Sequence, residues 1–425
     1  KNLSIMIDTK DWKNPNELKK NLQECKGIVD IIRFAVNPNK SKNLGEFLKV
    51  TKNLGFYVAV NLMYSHLILN NQNIIVPIIN LKKYFDIVYI VDSYGTLVSG
   101  DVTKIVKKIK SLDHKIKIGF HAHNNLELAL SNTIEAMQNK IDYIDSTFTG
   151  MGRGAGNLKT ELLFTYLVLK KRTLKIKNFK NIGSVVDQFE KMKVKEKWGT
   201  SLPYMISGST QSPQSEAMQL IKSKRYDMTD IITYLYKKDK VVPKVNKTLN
   251  IKTKKDILII GGGDSVREKI NYIVEYLKHN PKIFIIFSSS RNLRYFNNIR
   301  NKSIICITGN EITKIKKSLL TKKNFLINNI IDDKTILPKK VSNFFKLKNN
   351  EIDKKINNSP LAISLAAAKE IKAKNIYLVG FDGFEKNNQI NDYSLFNENQ
   401  NIFNFYKSKL NLTSLTDTTY ENLMK

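Results

Sequence analysis

The first half of the chain repeats one pattern of hydrophobic and polar positions. A short run of β-branched and apolar residues is followed by a polar turn and then by an amphipathic segment of helical length. Such alternation predicts βαβ units and a parallel sheet. The runs are LSIMID, VDIIRFAV, FYVAVNLM, IVYIVDSYG, KIKIGFHAH and DYIDSTFTG.

Polar side chains stand at the ends of these runs, where Arg33, Asn61, Asp92 and His121 occur, whereas the run starts are bland. An α/β barrel places its chemistry at the carboxyl ends of its strands, and a closed barrel needs eight strands. Six runs are visible, and the first residue is Lys rather than Met. The pattern therefore predicts, over residues 1–171, a (β/α)8 TIM barrel that lacks its first two strands.

The remainder of the chain divides into three predicted parts. Residues 172–240 have helical periodicity and form a helical extension. Residues 241–254 are charged, contain Pro243 and lack periodicity, which indicates a linker. Residues 255–425 alternate strands and helices, beginning with a strand, a glycine turn and a helix in KDILIIGGGDSVREK. This order predicts a Rossmann-like α/β domain.

His121 and His123 are two of only five histidines in the chain. In a strand, residues i and i+2 point to the same face, so both imidazoles can hold one cation. Mn²⁺ is the expected ion, and Mg²⁺, Co²⁺ and Zn²⁺ are alternatives. The competing interpretation is a polar strand end whose histidines are satisfied by hydrogen bonds.

A glycine-rich loop, FTGMGRGAGNLKTE, follows the sixth run. Its glycines, including Gly154 and Gly156, allow backbone N–H groups to approach a bound phosphate or other anion. Asn157 stands at the start of the following helix. In a barrel, the end of one strand and the loop after the next share one mouth, so this loop is expected near the histidine pair.

Three ordered motifs carry a family resemblance: VDSYGTLVSGDV, IGFHAHNNLELALSNTIEAM and IDSTFTGMGRGAGNLKTELL. Together they resemble the metal-dependent family typified by hydroxymethylglutaryl-CoA lyase, and its 4-hydroxy-2-oxovalerate aldolase-like subgroup in particular. The resemblance covers residues 1 to about 240. It implies that the six runs are strands three to eight of the barrel.

The resemblance also implies roles for individual residues. His121 and His123 would be metal ligands, and Asn157 would be a further ligand. Arg33, Asn61 and Asp92 would face the catalytic site from strand ends. Independently of the resemblance, the position of Tyr204 in WGTSLPYMISG, after the barrel, suggests an acid or a substrate contact over the mouth, or an anchor of the helical extension.

One element of that family is missing. Its first strand carries an Arg-Asp-Gly segment that supplies a metal carboxylate and the arginine that stabilises the enolate, and no such segment precedes residue 33. The resemblance therefore implies that the chain as given binds metal weakly and has impaired turnover.

The second domain resembles pterin-diphosphokinase-like and sugar-transferase-like Rossmann proteins. That resemblance implies a nucleotide or diphosphate near Gly263, Ser265, Asp382 and Ser414. The turn IIGGGD departs from the dinucleotide pattern G-x-G-x-x-G, because Val266 stands where the last glycine would be. The competing interpretation of the turn is a tight turn without ligand. The competing interpretation of AISLAAAKE is a small-residue helix that packs on the sheet.

Composition narrows the alternatives. The net charge of +32 invites a nucleic-acid partner, but the lysines are dispersed and no nucleic-acid-binding motif occurs, so solvated lysines on helix faces are the better interpretation. No apolar run reaches membrane-spanning length. Two distant cysteines, Cys25 and Cys306, fit a reducing cytoplasm.

These observations predict a divalent-metal-dependent aldolase or lyase acting on a small 2-oxo acid through a pyruvate-type enolate, as a cytoplasmic protein and a candidate homo-oligomer. Fusion to a nucleotide-binding-like domain suggests a place in surface-polysaccharide sugar biosynthesis. Two alternatives stay open: a Claisen-type acyl-CoA condensing enzyme, and a catalytically decayed barrel that serves as scaffold for a nucleotide-sugar-binding domain.

Overall fold

A computed structural model describes most of the chain. The described residues are 2–41, 43–171, 176–223, 226, 228–236, 244–250, 256–330, 335–338, 342–353, 356, 358–383, 392–421 and 423. Parts of the predicted linker, residues 241–243 and 251–254, lie outside them.

The chain forms two compact units. The first comprises Lys1–Ser223 with Ile231–Tyr236, and the second comprises Lys224–Asp230 with Lys237–Lys425. Each unit contains one all-parallel sheet covered by helices. The predicted α/β class is thus confirmed for both halves.

The first unit has a six-stranded sheet in the sequential order β1 to β6. This order is that of consecutive barrel strands, and the described strands form an open sheet. The strands are β1 (Ser4–Asp8), β2 (Ile31–Val36), β3 (Tyr57–Leu62), β4 (Ile87–Asp92), β5 (Lys117–Ala122) and β6 (Tyr143–Ile144).

Among the residues that the structure describes, eleven helices accompany this sheet or follow it. They are α1 (Pro15–Glu24), α2 (Leu44–Asn53), α3 (Leu67–Asn70), α4 (Val76–Ile79), α5 (Asp101–Leu112), α6 (Ala129–Gln138), α7 (Thr160–Lys171), α8 (Ile176–Glu196), α9 (Leu202–Ser209), α10 (Gln214–Ser223) and α11 (Met228–Tyr236).

Alternation along the strands separates two faces of this sheet. The face toward the helices is apolar and almost fully buried, as Phe34, Val60, Ile90 and Phe120 illustrate. The opposite face carries the polar residues. Because successive side chains point to opposite faces, one strand can fill the core and still present functional groups on its other side.

The second unit has a seven-stranded parallel sheet whose order is β11-β10-β9-β8-β7-β12-β13. The order reverses between β7 and β12, so the loops after these two strands diverge to opposite sides and leave a crevice. The strands are β7 (Ile257–Ile260), β8 (Phe284–Phe287), β9 (Ser303–Cys306), β10 (Asn324–Ile327), β11 (Phe344–Lys346), β12 (Ile376–Val379) and β13 (Leu412–Ser414).

Both faces of this second sheet are buried, which is why its strands have nearly continuous apolar sequences. Its helices are α12 (Ser265–Glu268), α13 (Ile270–His279), α14 (Lys317–Leu320), α15 (Pro360–Glu370) and α16 (Asp392–Tyr406). The small residues of AISLAAAKE lie in α15, where Ala362, Ala367 and Ala368 are fully buried. Close packing against the sheet accounts for them.

Both cysteines are free thiols. Cys306 is 1% exposed and its burial raises the pKa of the thiol to about 12. Cys25 is partly buried. Across the described helices, none combines the length and apolar character that crossing a membrane requires.

Candidate functional site

The polar face of the first sheet gathers residues from distant parts of the chain. Arg33 pairs in register with Ala59, Asn61 with Tyr89, and Val91 with His121. In-register neighbours in a parallel sheet share a face, so Arg33, Asn61 and His121 all point to the same side. The sequence prediction that these three side chains meet at one site agrees with this placement.

Asp145 joins the cluster. Its carboxylate accepts hydrogen bonds from Arg33 Nη1 at 3.1 Å and Arg33 Nη2 at 2.5 Å. It also lies 2.9 Å from His121 Nδ1. Arg33 Nε donates to Asn61 Oδ1 at 3.2 Å, and the guanidinium lies 4.0 Å from the ring centre of Tyr89. One carboxylate therefore fixes both the arginine and the first histidine.

The charged groups around Asp145 determine the protonation state of its carboxyl group. Burial alone would raise the pKa of its carboxyl group. The hydrogen bonds from His121 and Arg33, together with the charge of Arg33, outweigh burial and hold that pKa below its ordinary value. Asp145 is thus an anion. Burial likewise raises the pKa of the Tyr89 phenol beneath the guanidinium to about 12.

The two histidines present free nitrogens. His123 Nδ1 lies 3.0 Å from the carbonyl oxygen of Ser93, which can only accept, so this nitrogen carries the proton. His121 Nδ1 faces the Asp145 carboxylate in the same way. Within the described residues, neither Nε2 atom has a hydrogen-bond partner. The ring centres are 5.1 Å apart.

His123 is neutral at physiological pH. Burial disfavours its imidazolium form, the neighbouring His121 adds to this effect, and together they lower the pKa of His123 to about 4. A neutral imidazole whose second nitrogen is anchored by a carbonyl or carboxylate is the usual form of a metal-ligating histidine. The pair therefore has the chemistry of a nitrogen donor set.

Asp92 lies apart from this cluster. It pairs in register with Ala122, so its side chain points to the helix-covered face rather than the polar one. Its two carboxylate oxygens accept from the backbone N–H groups of Thr96 and Leu97 at 3.0 and 3.2 Å. Burial raises the pKa of Asp92 to about 6. The structure thus gives Asp92 a turn-stabilising position, which differs from the predicted one facing the site.

The glycine-rich loop folds back on the histidine strand. His123 and Asn157 form an antiparallel bridge, and Leu158 N donates to Ala122 O at 3.1 Å. The Asn157 side chain donates from Nδ2 to Met151 O at 3.0 Å. The loop and the histidine pair are therefore adjacent, as predicted.

Close packing explains why glycine occupies positions 154 and 156 of the loop. Gly156 has φ of +79°, and a Cβ there would overlap the carbonyl oxygen of Gly150. Gly154 has φ of +61°, and a Cβ there would overlap Oε1 of Gln214. Close backbone approach explains both glycines, and their prediction as a phosphate loop stays a prediction.

Tyr204 lies in α9 and is 7% exposed. Its backbone carbonyl accepts from Asn125 Nδ2 at 2.8 Å, and Asn125 Oδ1 accepts from Gln214 Nε2 at 2.9 Å. Burial raises the pKa of its phenol. These contacts fasten the helical extension to the barrel-like sheet, and they fit the anchoring alternative for this tyrosine.

In the second unit, three of the four residues predicted to lie around a nucleotide or diphosphate are in contact with one another. Asp382 accepts from Ser265 N at 2.9 Å and from Ser265 Oγ, and a Cβ on Gly263 would overlap the Asp382 carboxylate. Ser414 instead donates to Thr416 O at 2.6 Å and does not line the same cavity. The glycine turn therefore admits a carboxylate of the protein itself.

A cavity of about 810 Å³ opens beside this turn, at the point where the strand order reverses. Among its described lining residues, the carboxylates outnumber the single cationic side chain. They are Asp264, Glu268, Glu311, Asp382 and Glu398, against Arg291.

Sequence reasoning placed Ser93 beside Asp92 at a strand end facing the site, but it did not assign Asp145 or Tyr89 to the site. Asp145 was visible at the end of the sixth run, but nothing local showed that its partners are Arg33 and His121. Tyr89 is paired with Gly119, and a Cβ at Gly119 would overlap the tyrosine ring. That glycine in mid-strand was the available signal for a bulky cross-strand neighbour.

Comparison with known proteins covers the first unit. The family model described as HMGL-like matches residues 36–187. A 4-hydroxy-2-oxovalerate aldolase of Geobacillus genomosp. 3 is 36% identical over 151 residues, which are 35% of this chain and 44% of that protein. The one from Thermus thermophilus is 33% identical over 152 residues, 35% of this chain and 43% of that protein. The chain thus spans less than half the length of these curated relatives.

A solved structure is also similar. The crystal structure of the N-terminal domain of a putative aldolase from Bacteroides vulgatus has 36% sequence identity and a TM-score of 0.50, over 55% of this chain and 76% of that one. The histidine pair and the glycine-rich loop both lie within the residues that the family model matches. Residues 36–187 of the chain thus form an HMGL-like domain.

Proposed function

We propose that the first unit is a divalent-metal-dependent aldolase or lyase that breaks or forms a carbon–carbon bond in a 2-oxo acid. One observation carries the proposal. His121 and His123 each commit Nδ1 to an acceptor of the protein and keep Nε2 free of partners among the described residues. The match to the HMGL-like family model and the names of the relatives support the reaction class.

The donor set fits a divalent cation in part. His121 and His123 would hold it through their Nε2 atoms, and Asn157 would add an oxygen donor. Within the described residues, no group of three or more His, Cys, Asp or Glu side chains is placed to hold a metal ion. A bound Mn²⁺, or Mg²⁺, Co²⁺ or Zn²⁺ in its place, supplies Lewis-acid and template chemistry for a 2-oxo acid.

A 4-hydroxy-2-oxo acid is the substrate class that the relatives' names suggest. In the cleavage direction, a base removes the proton of the 4-hydroxyl group, the C3–C4 bond breaks and an aldehyde leaves. The electron pair stays on C3 as a pyruvate enolate, and a proton added at C3 completes pyruvate. Arg33, held by Asp145 and Asn61, would place a positive charge on the same face of the sheet.

Mn²⁺ binding tests the metal site. We expect wild-type protein to bind Mn²⁺ and the His121→Ala, His123→Ala double variant to bind it at least about tenfold more weakly, because both nitrogen donors are removed. Electron paramagnetic resonance of free Mn²⁺ during a titration measures this affinity. His114→Ala is the matched control, since His114 is exposed in the turn after α5. Equal Mn²⁺ affinity in the double variant would refute the site.

Product analysis separates the reaction classes. An aldolase releases pyruvate from a 4-hydroxy-2-oxo acid, whereas a Claisen-type condensing enzyme consumes an acyl-CoA thioester and frees CoA. A decayed scaffold does neither. The proposed role in surface-polysaccharide sugar biosynthesis rests on the second unit and depends on what that unit binds.

We propose as a second function that the cavity of the second unit binds a nucleotide or diphosphate together with a divalent cation. The supporting observation is a large cavity at the reversal of strand order, which is where open α/β sheets bind ligands. The cation is needed because Asp382 already occupies the donors of Ser265 and because the lining is acidic.

Calorimetry with a nucleoside diphosphate tests this second proposal. We expect binding in the presence of Mg²⁺ and at least about tenfold weaker binding in its absence, since the cavity carboxylates repel a free diphosphate. Asn310→Leu, which places an apolar side chain on the lining, should abolish binding, whereas Asn297→Leu on an exposed surface should not. Circular dichroism verifies that both variants fold. Tighter binding without Mg²⁺ would contradict the proposal.

A further inference from the structure

A cleft of the first unit lies between the glycine-rich loop and the helical extension. Its volume is about 480 Å³. One wall comes from the loop after β6, and the other comes from the end of α8 and the start of α9. Neither His121 nor His123 lines it. Its lining includes Asn124, Thr149, Asn157, Lys159, Trp198 and Ser201.

Two hydroxyl groups of this lining lack partners. Thr149 is 1% exposed, and its Oγ1 is buried without a hydrogen-bond partner within the described structure. Ser201 Oγ, on the opposite wall, is in the same condition. A buried hydroxyl without a partner costs free energy, and native proteins keep few of them. Both residues line the cleft, and a rotation about χ1 would turn either buried hydroxyl toward an acceptor bound there.

The position of Thr149 is imposed by its surroundings. Its φ is +52°, a left-handed conformation that a β-branched residue rarely adopts. Three hydrogen bonds surround it: Thr149 N donates to Glu161 Oε2 at 3.1 Å, Trp198 Nε1 donates to Thr149 O at 3.1 Å, and Gly150 N donates to Thr147 O at 3.1 Å. These bonds fix the backbone of Thr149 and leave its hydroxyl unpaired.

The charges around the cleft are mostly positive. Among the lining residues that the structure describes, Lys159, Lys193 and Lys197 are cationic and Glu127 is the one carboxylate. Lys193 has only an exposed contact with Glu190, at 3.7 Å. Three lysines and one glutamate give the described lining a formal charge of +2. A ligand with acceptor oxygens and a double negative charge matches both the hydroxyls and the lysines.

We propose that this cleft binds the phosphoryl group of a small phosphorylated molecule. A phosphoryl group carries about −1.5 to −2 charges at neutral pH and three acceptor oxygens, whereas a carboxylate carries one charge and two oxygens. Thr149 and Ser201 donate to its oxygens from opposite walls, and the lysines balance its charge. Neither histidine lines this cleft but Asn157 does, so the cleft adjoins the proposed metal site. Binding of a phosphoryl group there does not depend on the proposed aldolase activity.

Isothermal titration calorimetry on the full chain tests the proposal with three probes: inorganic phosphate, methyl phosphate and acetate. We expect saturable binding of both phosphates and much weaker binding of acetate. Thr149→Val keeps the shape and removes the hydroxyl, so phosphate affinity should fall by roughly tenfold. Thr165→Val is the matched control, because Thr165 Oγ1 already donates to Glu161 O on α7.

A second pair of variants tests the charge. Lys193→Met with Lys197→Met should weaken phosphate binding and reduce its dependence on salt. Lys191→Met with Lys195→Met removes the same charge from exposed positions of α8 outside the cleft and should leave binding unchanged.

Thermal unfolding distinguishes a ligand-binding hydroxyl from a structural one. Thr149→Val should leave the Tm of the ligand-free protein unchanged or raise it, because an unpaired buried hydroxyl is removed. Absence of saturable phosphate binding in the wild type, unaltered binding in Thr149→Val, or acetate bound as tightly as phosphate would each overturn the proposal. Binding of inorganic phosphate without methyl phosphate would also overturn it, since the site would then accept only the free ion.

Discussion

Replacement of Asp145 by Asn is expected to lower the free energy of unfolding of the first unit by about 3 kcal/mol. The side chains of Arg33 and Asp145 are only 15% and 20% exposed. Removing the carboxylate charge leaves the guanidinium largely buried without its counter-ion, and it takes away one acceptor from Arg33 and His121 together. The amide of Asn also turns a donor toward groups that themselves donate.

Urea unfolding of the wild type and the variant measures this loss. Glu190→Gln is the control, because it makes the same carboxylate-to-amide change in an exposed pair with Lys193. That pair should contribute less than about 0.5 kcal/mol. A loss of similar size in both variants would mean that solvent screens the Asp145 cluster as fully as it screens a surface pair.

A double-mutant cycle shows where the loss arises. When Arg33→Met is added to Asp145→Asn, no buried guanidinium is left unpaired, so part of the lost stability should return. If the two losses simply add, the cost of Asp145→Asn comes from His121 or from packing rather than from the stranded charge of Arg33.

The fold was largely visible in the sequence, because burial on one face and chemistry on the other impose short apolar runs with polar ends. The apolar runs do not show which of their residues share a face of the sheet. In IVYIVDSYG nearly every position is apolar, so the pattern does not reveal that Tyr89 and Asp92 point to opposite faces. Asp92 was therefore expected at the site although the structure places it against the following turn.

The site was visible only in part, since its partners are distant in the chain. Arg33 and Asp145 are separated by 112 positions, and no local pattern links them. The histidine pair was recognisable because residues i and i+2 of a strand always point to the same face. The glycines alone do not distinguish an anion site from close chain packing, because a glycine that admits an anion and one that admits a neighbouring chain have the same sequence signature.

Gly156→Ala tests whether close packing of the neighbouring chain segment explains this glycine. We expect the substitution to lower the free energy of unfolding by about 3 kcal/mol or more. The φ of +79° disfavours any residue with a Cβ, and the added methyl group would overlap the Gly150 carbonyl oxygen. That oxygen cannot move freely, because it accepts from Asn157 N at 3.0 Å. The strain therefore falls on the bridge between Asn157 and His123.

Two other glycines separate the contributions to this effect. Gly27 has φ of +80° with no atom within 4 Å of an added Cβ, so Gly27→Ala should show only the conformational cost, about 1 kcal/mol. Gly183 lies in α8 with the same open space and no positive φ, so Gly183→Ala should stabilise the unit by about 0.5 to 1 kcal/mol. Urea unfolding ranks all three variants. If Gly156→Ala costs no more than Gly27→Ala, the loop has room for a side chain, and an anion close to its backbone would again be the better reason for the glycine.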